Sequence, residues 1–170
     1  EYAPAAMDWS QSNVGDLVND TDQIGQSFTA GITGRLDAVA MPLYATDPAQ
    51  SGFDGDLIFD IHSTDFWGAP DVLLGSASVP VAEAALTPWT VADLRDAQIR
   101  VVAGRKYVII LRRSAGACPG GCFYGIVSPT GGVGANGEAY AAGQHMFGNI
   151  HYGPAGADWL FRTYVDTTLE

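Results

Sequence analysis

The sequence predicts an all-β protein, an antiparallel two-sheet β-sandwich formed by a single domain over residues 1–170. Two observations carry this prediction. Short segments in which apolar and polar residues alternate recur along the chain, and they are rich in Val, Ile, Phe, Tyr and Thr. Gly, Pro, Asp and Ser separate these segments, as in proteins with many turns. A length of 170 residues suits one domain with its own core.

Alternate residues of a strand share one face, so the predicted strands can be sorted into two sides. In "RLDAVAMPLYA" and "DLIFDIHS", the predicted apolar face consists of Val39, Met41, Leu43, Ala45, Leu57, Phe59 and Ile61. Ile58, Asp60 and His62 point to the opposite side of the second segment. Six further segments continue the pattern: "VLLGSASVPV", "WTVADL", "IRVV", "KYVIILRR", "FYGIV" and "LFRTYV".

Two regions depart from this alternation. The stretch "VAEAALTPW" can form a single helical turn that ends before Pro88. Residues 128–158 contain too much Gly for a continuous strand, and we expect loops there with one or two short strands within residues 139–147. Long loops at one end of a sandwich are where binding residues usually lie.

Motifs spread over residues 23–166 resemble a class of bacterial secreted or surface domains. The motifs are "QSFTAG", "GRLDAV", "GDLIFDI", Pro70 with Leu74, "AGRKYVIIL" and "FRTYV". That class has a jelly-roll β-sandwich fold related in shape to carbohydrate-binding modules. The resemblance therefore implies jelly-roll connectivity, export from the cell and, in many such modules, one structural calcium ion.

The composition and the net charge disfavour two classes of binding partner. The formal net charge is −11 and the sequence pI is about 4.3, with 8 Lys and Arg against 19 Asp and Glu. Nucleic acids and anionic membrane surfaces attract clusters of basic residues, so both are disfavoured as partners. No run of about 18 apolar residues is present, so we expect no membrane insertion. The sequence starts at Glu1 rather than Met, as in a mature secreted protein or an excised domain.

The two cysteines fit an oxidising compartment. Cys118 and Cys122 stand in "ACPGGCFYG", and two thiolates alone make a poor zinc site. Their spacing differs from the redox C-x-x-C motif. We predict a disulfide bond between them across the Pro-Gly-Gly turn, and hence a protein that is secreted or displayed at the cell surface.

No local motif supports catalysis. The segment "GVGANG" matches the dinucleotide pattern, but "EAYAAGQHMFG" after it does not form the helix that would hold a pyrophosphate. A G-x-S-x-G nucleophile elbow is missing from the sequence. Glu83 and Glu138 are the only internal glutamates, and neither lies in an aromatic-rich stretch that would suggest a glycosidase cleft. We therefore predict a protein without enzymatic activity.

The acidic loop "GDLVNDTDQ" offers the oxygen ligands that calcium prefers. His62, His145 and His151 are dispersed along the sequence, which disfavours a transition-metal site. The predicted ligands of one structural calcium ion are Asp20, Asp22 and Asp158. The alternative is that these carboxylates are ordinary solvated turn residues.

The stretch "STDFWGAPDVLLGS" places Phe66 and Trp67 in a predicted turn. One interpretation makes Trp67 a platform on which a sugar ring stacks. The flanking turn residues favour an outward Trp67 side chain, with Phe66 then tucked inwards. The other interpretation, which we prefer, makes the pair a lid over the end of the sandwich. Trp9, Trp89 and Trp159 are expected at the edge of the core.

These residues lead to a functional hypothesis. Trp67 with Tyr44, Asp60, His62, Arg112 and Tyr124 is predicted to form a polar and aromatic surface that binds a polysaccharide or glycan without covalent chemistry. The protein would then be an extracellular carbohydrate-binding module, alone or within a larger multidomain protein. The first alternative is a structural or adhesive surface domain that contacts proteins or its own copies, and the second is a small secreted glycan hydrolase or lyase.

Overall fold

The computed structural model describes residues 7–10, 17–18, 24–45, 56–80, 89–114, 124–126, 145–147, 151–152 and 161–168. Side-chain environments are described for residues 25–42, 56–80, 89–114 and 161–168. The fold is an antiparallel two-sheet β-sandwich, which confirms the predicted fold class. Within the described ranges, no helix has the length and apolar content needed to cross a membrane.

Fourteen strands and one 3₁₀ helix account for the regular structure in these ranges. The strands are β1 (Met7–Ser10), β2 (Leu17–Val18), β3 (Ile24–Thr29), β4 (Gly34–Met41), β5 (Leu43–Ala45), β6 (Asp56–Thr64), β7 (Pro70–Pro80), β8 (Thr90–Asp93), β9 (Arg100–Val101), β10 (Lys106–Arg113), β11 (Tyr124–Ile126), β12 (His145–Phe147), β13 (His151–Tyr152) and β14 (Arg162–Asp166). The 3₁₀ helix, Arg95–Ala97, follows β8.

Two large sheets enclose the core, and their strands pair antiparallel. The first has the order β1-β14-β4-β8, with β9 also paired to β4. The second has six strands in the order β13-β12-β3-β10-β6-β7. A separate three-stranded sheet has the order β2-β11-β5. These connections are compatible with a jelly roll, which stays a prediction, as does the extent of the domain over residues 1–170.

The core lies between the inner faces of the two large sheets. Phe28 on β3 contacts Tyr107 on β10 and also Phe161, which precedes β14 in the other sheet, at ring-centroid distances of 5.7 and 6.1 Å. The largest fully buried side chains are Phe28, Phe59, Phe161, Leu36, Met41, Leu57, Ile61, Leu94, Ile109 and Leu111. Burial of this apolar surface is the main source of the free energy that stabilises the sandwich.

The predicted face of β6 is confirmed, since Leu57, Phe59 and Ile61 are all fully buried. On β4, alternation breaks down, because Ala38 and Ala40 are as deeply buried as Val39. Small side chains on the second face of a strand allow neighbouring residues to cover it, which explains this pattern. The proposed helical turn at residues 81–88 lies outside the described residues, and of residues 139–147 only the strand at 145–147 is described.

Gly34 marks the closest approach between β4 and the end of β14. A Cβ atom on Gly34 would clash with the carbonyl oxygen of Asp166 and would lie 2.8 Å from Cγ1 of Val165. Glycine therefore allows these two backbones to pack together.

We expect Gly34→Ala to lower the free energy of unfolding by about 1–3 kcal/mol, because β14 must move away to admit the methyl group. Chemical denaturation measures this change. Gly104→Ala is the control, since a Cβ atom there meets nothing within 4 Å and only its positive φ of 80° is strained. Equal stability of wild type and Gly34→Ala would contradict the packing argument.

Ion pairs on the outside of the first sheet link its strand ends. The Arg35 side chain contacts Asp37 at 2.6 Å and Asp166 of β14 at 3.3 Å. Hydrogen bonds from Thr168, with a smaller contribution from the charge of Arg35, hold the pKa of Asp166 below its usual range. The hydrogen-bonded ion pair with Arg95 likewise lowers the pKa of Asp93.

Both lowered pKa values predict that acid destabilises the fold. A carboxylate whose pKa is lower in the folded state stabilises that state above its ordinary pKa, and this contribution is lost as the pH falls through the folded value. We expect the melting temperature to fall between about pH 5 and pH 2. The double variant Asp93→Asn/Asp166→Asn should show a shallower fall, and an identical pH profile would contradict the assignment.

Candidate binding site on one hairpin and the outer face of its sheet

The hairpin tip, residues 65–69, joins β6 to β7 and is fixed by one carboxylate. Oδ1 of Asp65 accepts hydrogen bonds from the backbone N–H groups of Trp67 at 2.9 Å and Ala69 at 2.8 Å. The backbone N–H of Gly68 donates to the carbonyl of Asp65, and Gly68 has a φ of 85°. This is an Asx turn closed by a glycine, so the Asp-x-x-Gly spacing in the sequence determines the reversal of the chain.

Both aromatic side chains of the tip project into solvent. Phe66 is 91% exposed and Trp67 is 79% exposed. Their rings are 5.2 Å apart and nearly perpendicular, at 87°. The expectation that Phe66 tucks inwards is therefore wrong, and so is the lid interpretation. The chain reverses beyond Ile61, the last fully buried residue of β6, so neither ring reaches the core.

The strand after the tip adds two more exposed apolar side chains. Val72 is 55% exposed and Leu73 is 51% exposed. The register between β6 and β7 shifts twice in this region, on either side of the pairing between His62 and Leu73. Such bulges turn consecutive residues outwards, which allows neighbouring apolar residues to be exposed together. The consecutive "VLL" in the sequence signals this irregularity, which a prediction based on alternation alone missed.

The outer face of the six-stranded sheet, opposite the core, carries a polar cluster. Asp60 on β6 is only 5% exposed. Its carboxylate accepts hydrogen bonds from Nε of Arg112 on β10 and from Oγ of Ser76 on β7, both at 2.5 Å. Three neighbouring strands thus meet at one carboxylate, and the predicted proximity of Asp60 and Arg112 is present in the structure.

His62 lies two residues along the same face of β6, where it pairs with Val108 of β10 and Leu73 of β7. Its Nδ1 atom is buried and has no hydrogen-bond partner. Burial lowers the pKa of His62, and the negative charge of Asp60 opposes this effect only partly. Because its pKa lies below the ordinary histidine value, the imidazole is neutral at pH 7.

The two predicted tyrosines belong to a different sheet. Tyr44 lies on β5 and Tyr124 on β11, where Gly125 pairs with Tyr44 and Tyr124 pairs with Ala45. Their side chains lie outside the described residues. The six predicted ligand-binding residues thus divide into three places: the cluster of Asp60, His62 and Arg112, the hairpin tip with Trp67, and the three-stranded sheet.

The structure describes only some of the other residues that carry a sequence-based prediction. Trp89 is half-buried beneath Arg162, whose guanidinium carbon lies 3.8 Å from the ring centroid, which suits a position at the edge of the core. The side chains of Trp9 and Trp159 lie outside the described residues. The same holds for the predicted calcium ligands Asp20, Asp22 and Asp158 and for the predicted disulfide of Cys118 and Cys122. Among the residues that are described, no three His, Cys, Asp or Glu side chains form a group that could hold a metal ion.

No protein-family model, curated protein or solved structure matches the chain. The resemblance to secreted jelly-roll domains therefore stays a prediction, and function is inferred from the geometry of the hairpin and its sheet.

Substitutions in the polar cluster test how much the contact between Asp60 and Arg112 stabilises the fold. We expect Arg112→Met to lower the free energy of unfolding by about 1–3 kcal/mol, because it leaves the buried carboxylate of Asp60 with fewer hydrogen bonds. The double variant Asp60→Asn/Arg112→Met should recover part of that loss, since the unpaired charge is also removed. Denaturant titration of both variants measures the difference, and a double variant less stable than the single one would contradict the pairing.

Proposed function

We propose that this chain is a non-catalytic, extracellular carbohydrate-binding module whose contact residue is Trp67. The observation that carries the proposal is the 79% exposure of an indole on a turn held by the Asp65 carboxylate. Exposed apolar side chains that lie next to one another, as those of Phe66 and Trp67 do, often mark a surface that binds a ligand or partner. A turn fixed by hydrogen bonds also reduces the entropy lost when a ligand binds.

Stacking would supply most of the contact energy. A pyranose ring presents an apolar C–H face, and the flat indole of Trp67 is the matching surface. Phe66 meets this indole edge to face, so it limits the rotation of the Trp67 ring. Rigid aromatic contacts of this kind are common at binding sites because few rotatable bonds become fixed on binding.

Hydrogen bonds to sugar hydroxyls would come from the polar cluster on the same sheet. Arg112 retains donors beyond the two that Asp60 accepts from, and the side chain is 36% exposed. The paired charges of Asp60 and Arg112, together with a neutral His62, make a cluster without net charge. Such a set suits a neutral, hydroxyl-rich ligand better than a strongly charged one.

A structural or adhesive surface domain is the second candidate, and a separate observation favours it. Val72 and Leu73 are exposed beside the aromatic tip, and apolar side chains next to one another also suit contacts with proteins. The two candidates differ in the partner that Trp67 contacts, so the binding of wild type to glycans separates them.

Trp67→Ala should weaken saturable binding to neutral polysaccharides while changing the melting temperature little, because the exposed indole contributes little to folding. Isothermal titration calorimetry against a panel of soluble glycans, with and without calcium, measures binding. Loss of one stacked ring should weaken affinity by about 10–100-fold, corresponding to about 1.4–2.7 kcal/mol.

Val91→Ala, a substitution on the other sheet, serves as the matched control and should leave glycan binding unchanged. If wild type binds no glycan on the panel, the adhesive candidate replaces the glycan proposal. If Trp67→Ala binds as tightly as wild type, the site lies elsewhere on the molecule.

A further inference from the structure

The strand β7 forms one end of the six-stranded sheet, beside β6. In the described part of the chain, no strand pairs with its far side. An edge strand presents a row of backbone N–H and C=O groups that can pair with another strand. With 11 residues, β7 is longer than the other described strands, so this row is extensive.

Natural edge strands usually carry features that prevent pairing, and on β7 these are confined to the first half. The register shifts lie near Leu73, and the single charged residue, Asp71, lies close to the tip. From Gly75 to Pro80 the pairing with β6 is regular, and the segment contains no charged residue. Its only proline is the terminal Pro80. The second half of β7 is therefore a flat, uncharged edge.

Two serines on this half lean towards β6 rather than over the edge. The hydroxyl of Ser76 donates to Asp60 at 2.5 Å, and the hydroxyl of Ser78 donates to Asp56. Because both hydroxyls are engaged within the sheet, neither competes for the outward backbone groups of β7. The edge is thus left to a partner that supplies its own backbone.

We propose that residues 75–79 of β7 pair antiparallel with the same residues of a second copy of this chain, about a two-fold axis at Ala77. This axis stands perpendicular to the sheet, so the core-facing sides of the two copies remain aligned and one continuous sheet results. The register places Gly75 opposite Val79 of the second copy and Ser76 opposite its Ser78. A glycine then lies opposite a valine and a serine opposite a serine, so no like-charged or bulky pair opposes the contact.

Charge does not prevent this contact. Each copy has a net charge of −11, but the Debye length is about 8 Å at physiological ionic strength, so repulsion between the bodies of the two copies is largely screened. In this register, Asp71 lies beyond the paired residues. Association should therefore strengthen as the salt concentration rises.

The dimer is independent of the glycan proposal. Antiparallel pairing of β7 directs the two hairpin tips towards opposite ends of the dimer, so Trp67 does not enter the contact. The dimer should consequently form in Trp67→Ala as it does in wild type, whether or not the protein binds a glycan.

Sedimentation equilibrium of the full chain, at low and high salt, tests the proposal with Ser78→Lys as the disrupting variant. In the dimer, the two introduced lysines would occupy diagonal positions on one face, with their backbones about 7–8 Å apart. We expect the dissociation constant of the dimer to increase by about tenfold or more, since lysine on an edge strand opposes pairing. The substitution reduces the net negative charge, so a general electrostatic effect would act in the opposite direction.

Thr167→Lys is the matched control, because it makes the same charge change at an exposed position after β14 and should leave the dimer intact. Circular dichroism checks that each variant is folded. A wild type that remains monomeric at every salt and protein concentration overturns the proposal. Equal association of Ser78→Lys and wild type, or loss of the dimer in Trp67→Ala, does the same, since the contact would then lie elsewhere.

Discussion

Burial of alternate residues along β6 is the constraint on which the rest of the structure depends. Leu57, Phe59 and Ile61 are fully removed from water, and a shift of one residue would expose all three. The same alternation places Asp60 and His62 on the outer face of the sheet. The polar cluster is therefore a consequence of how the core is filled, and its position is as well determined as the core itself.

The cluster carries an electrostatic cost that its neighbours reduce. A carboxylate as buried as that of Asp60 would be strongly destabilising alone, because charge is poorly solvated inside a protein. Arg112 from one neighbouring strand and Ser76 from the other each supply a hydrogen bond. These hydrogen bonds favour the observed strand register, because that register brings Asp60, Arg112 and Ser76 together.

The parts of the fold that depend on local periodicity were predictable from the sequence. The all-β class and the inward face of β6 follow from alternation, which also places Asp60 on the opposite face of β6. The proximity of Asp60 to Arg112 depends in addition on the pairing of β6 with β10. The exposure of Phe66 did not follow, because large aromatics are usually buried and their burial depends on where a turn lies relative to the end of the core. A turn at Phe66 and Trp67 was predicted from the sequence, but its distance from the last core residue was not.

Separation of the predicted surface into three places has a similar cause. Tyr44 and Tyr124 share local features with the residues of the polar cluster, but strand order depends on contacts between distant segments, which periodicity does not report. For this reason, the sheet to which each strand belongs could not be predicted from local sequence. The same holds for the position of β7 as an edge strand.

The location of the hairpin tip at the end of β6 has a mechanical consequence. Hydrogen bonds between antiparallel strands run perpendicular to the strands. A tether attached at the tip and pulled along β6 would therefore load these bonds in shear, with seven registered residue pairs between β6 and β10 sharing the force. Peeling the strands apart from one end would break such pairs one after another, whereas shear must break them together. A load applied at the tip along β6 would thus be resisted by several residue pairs at once.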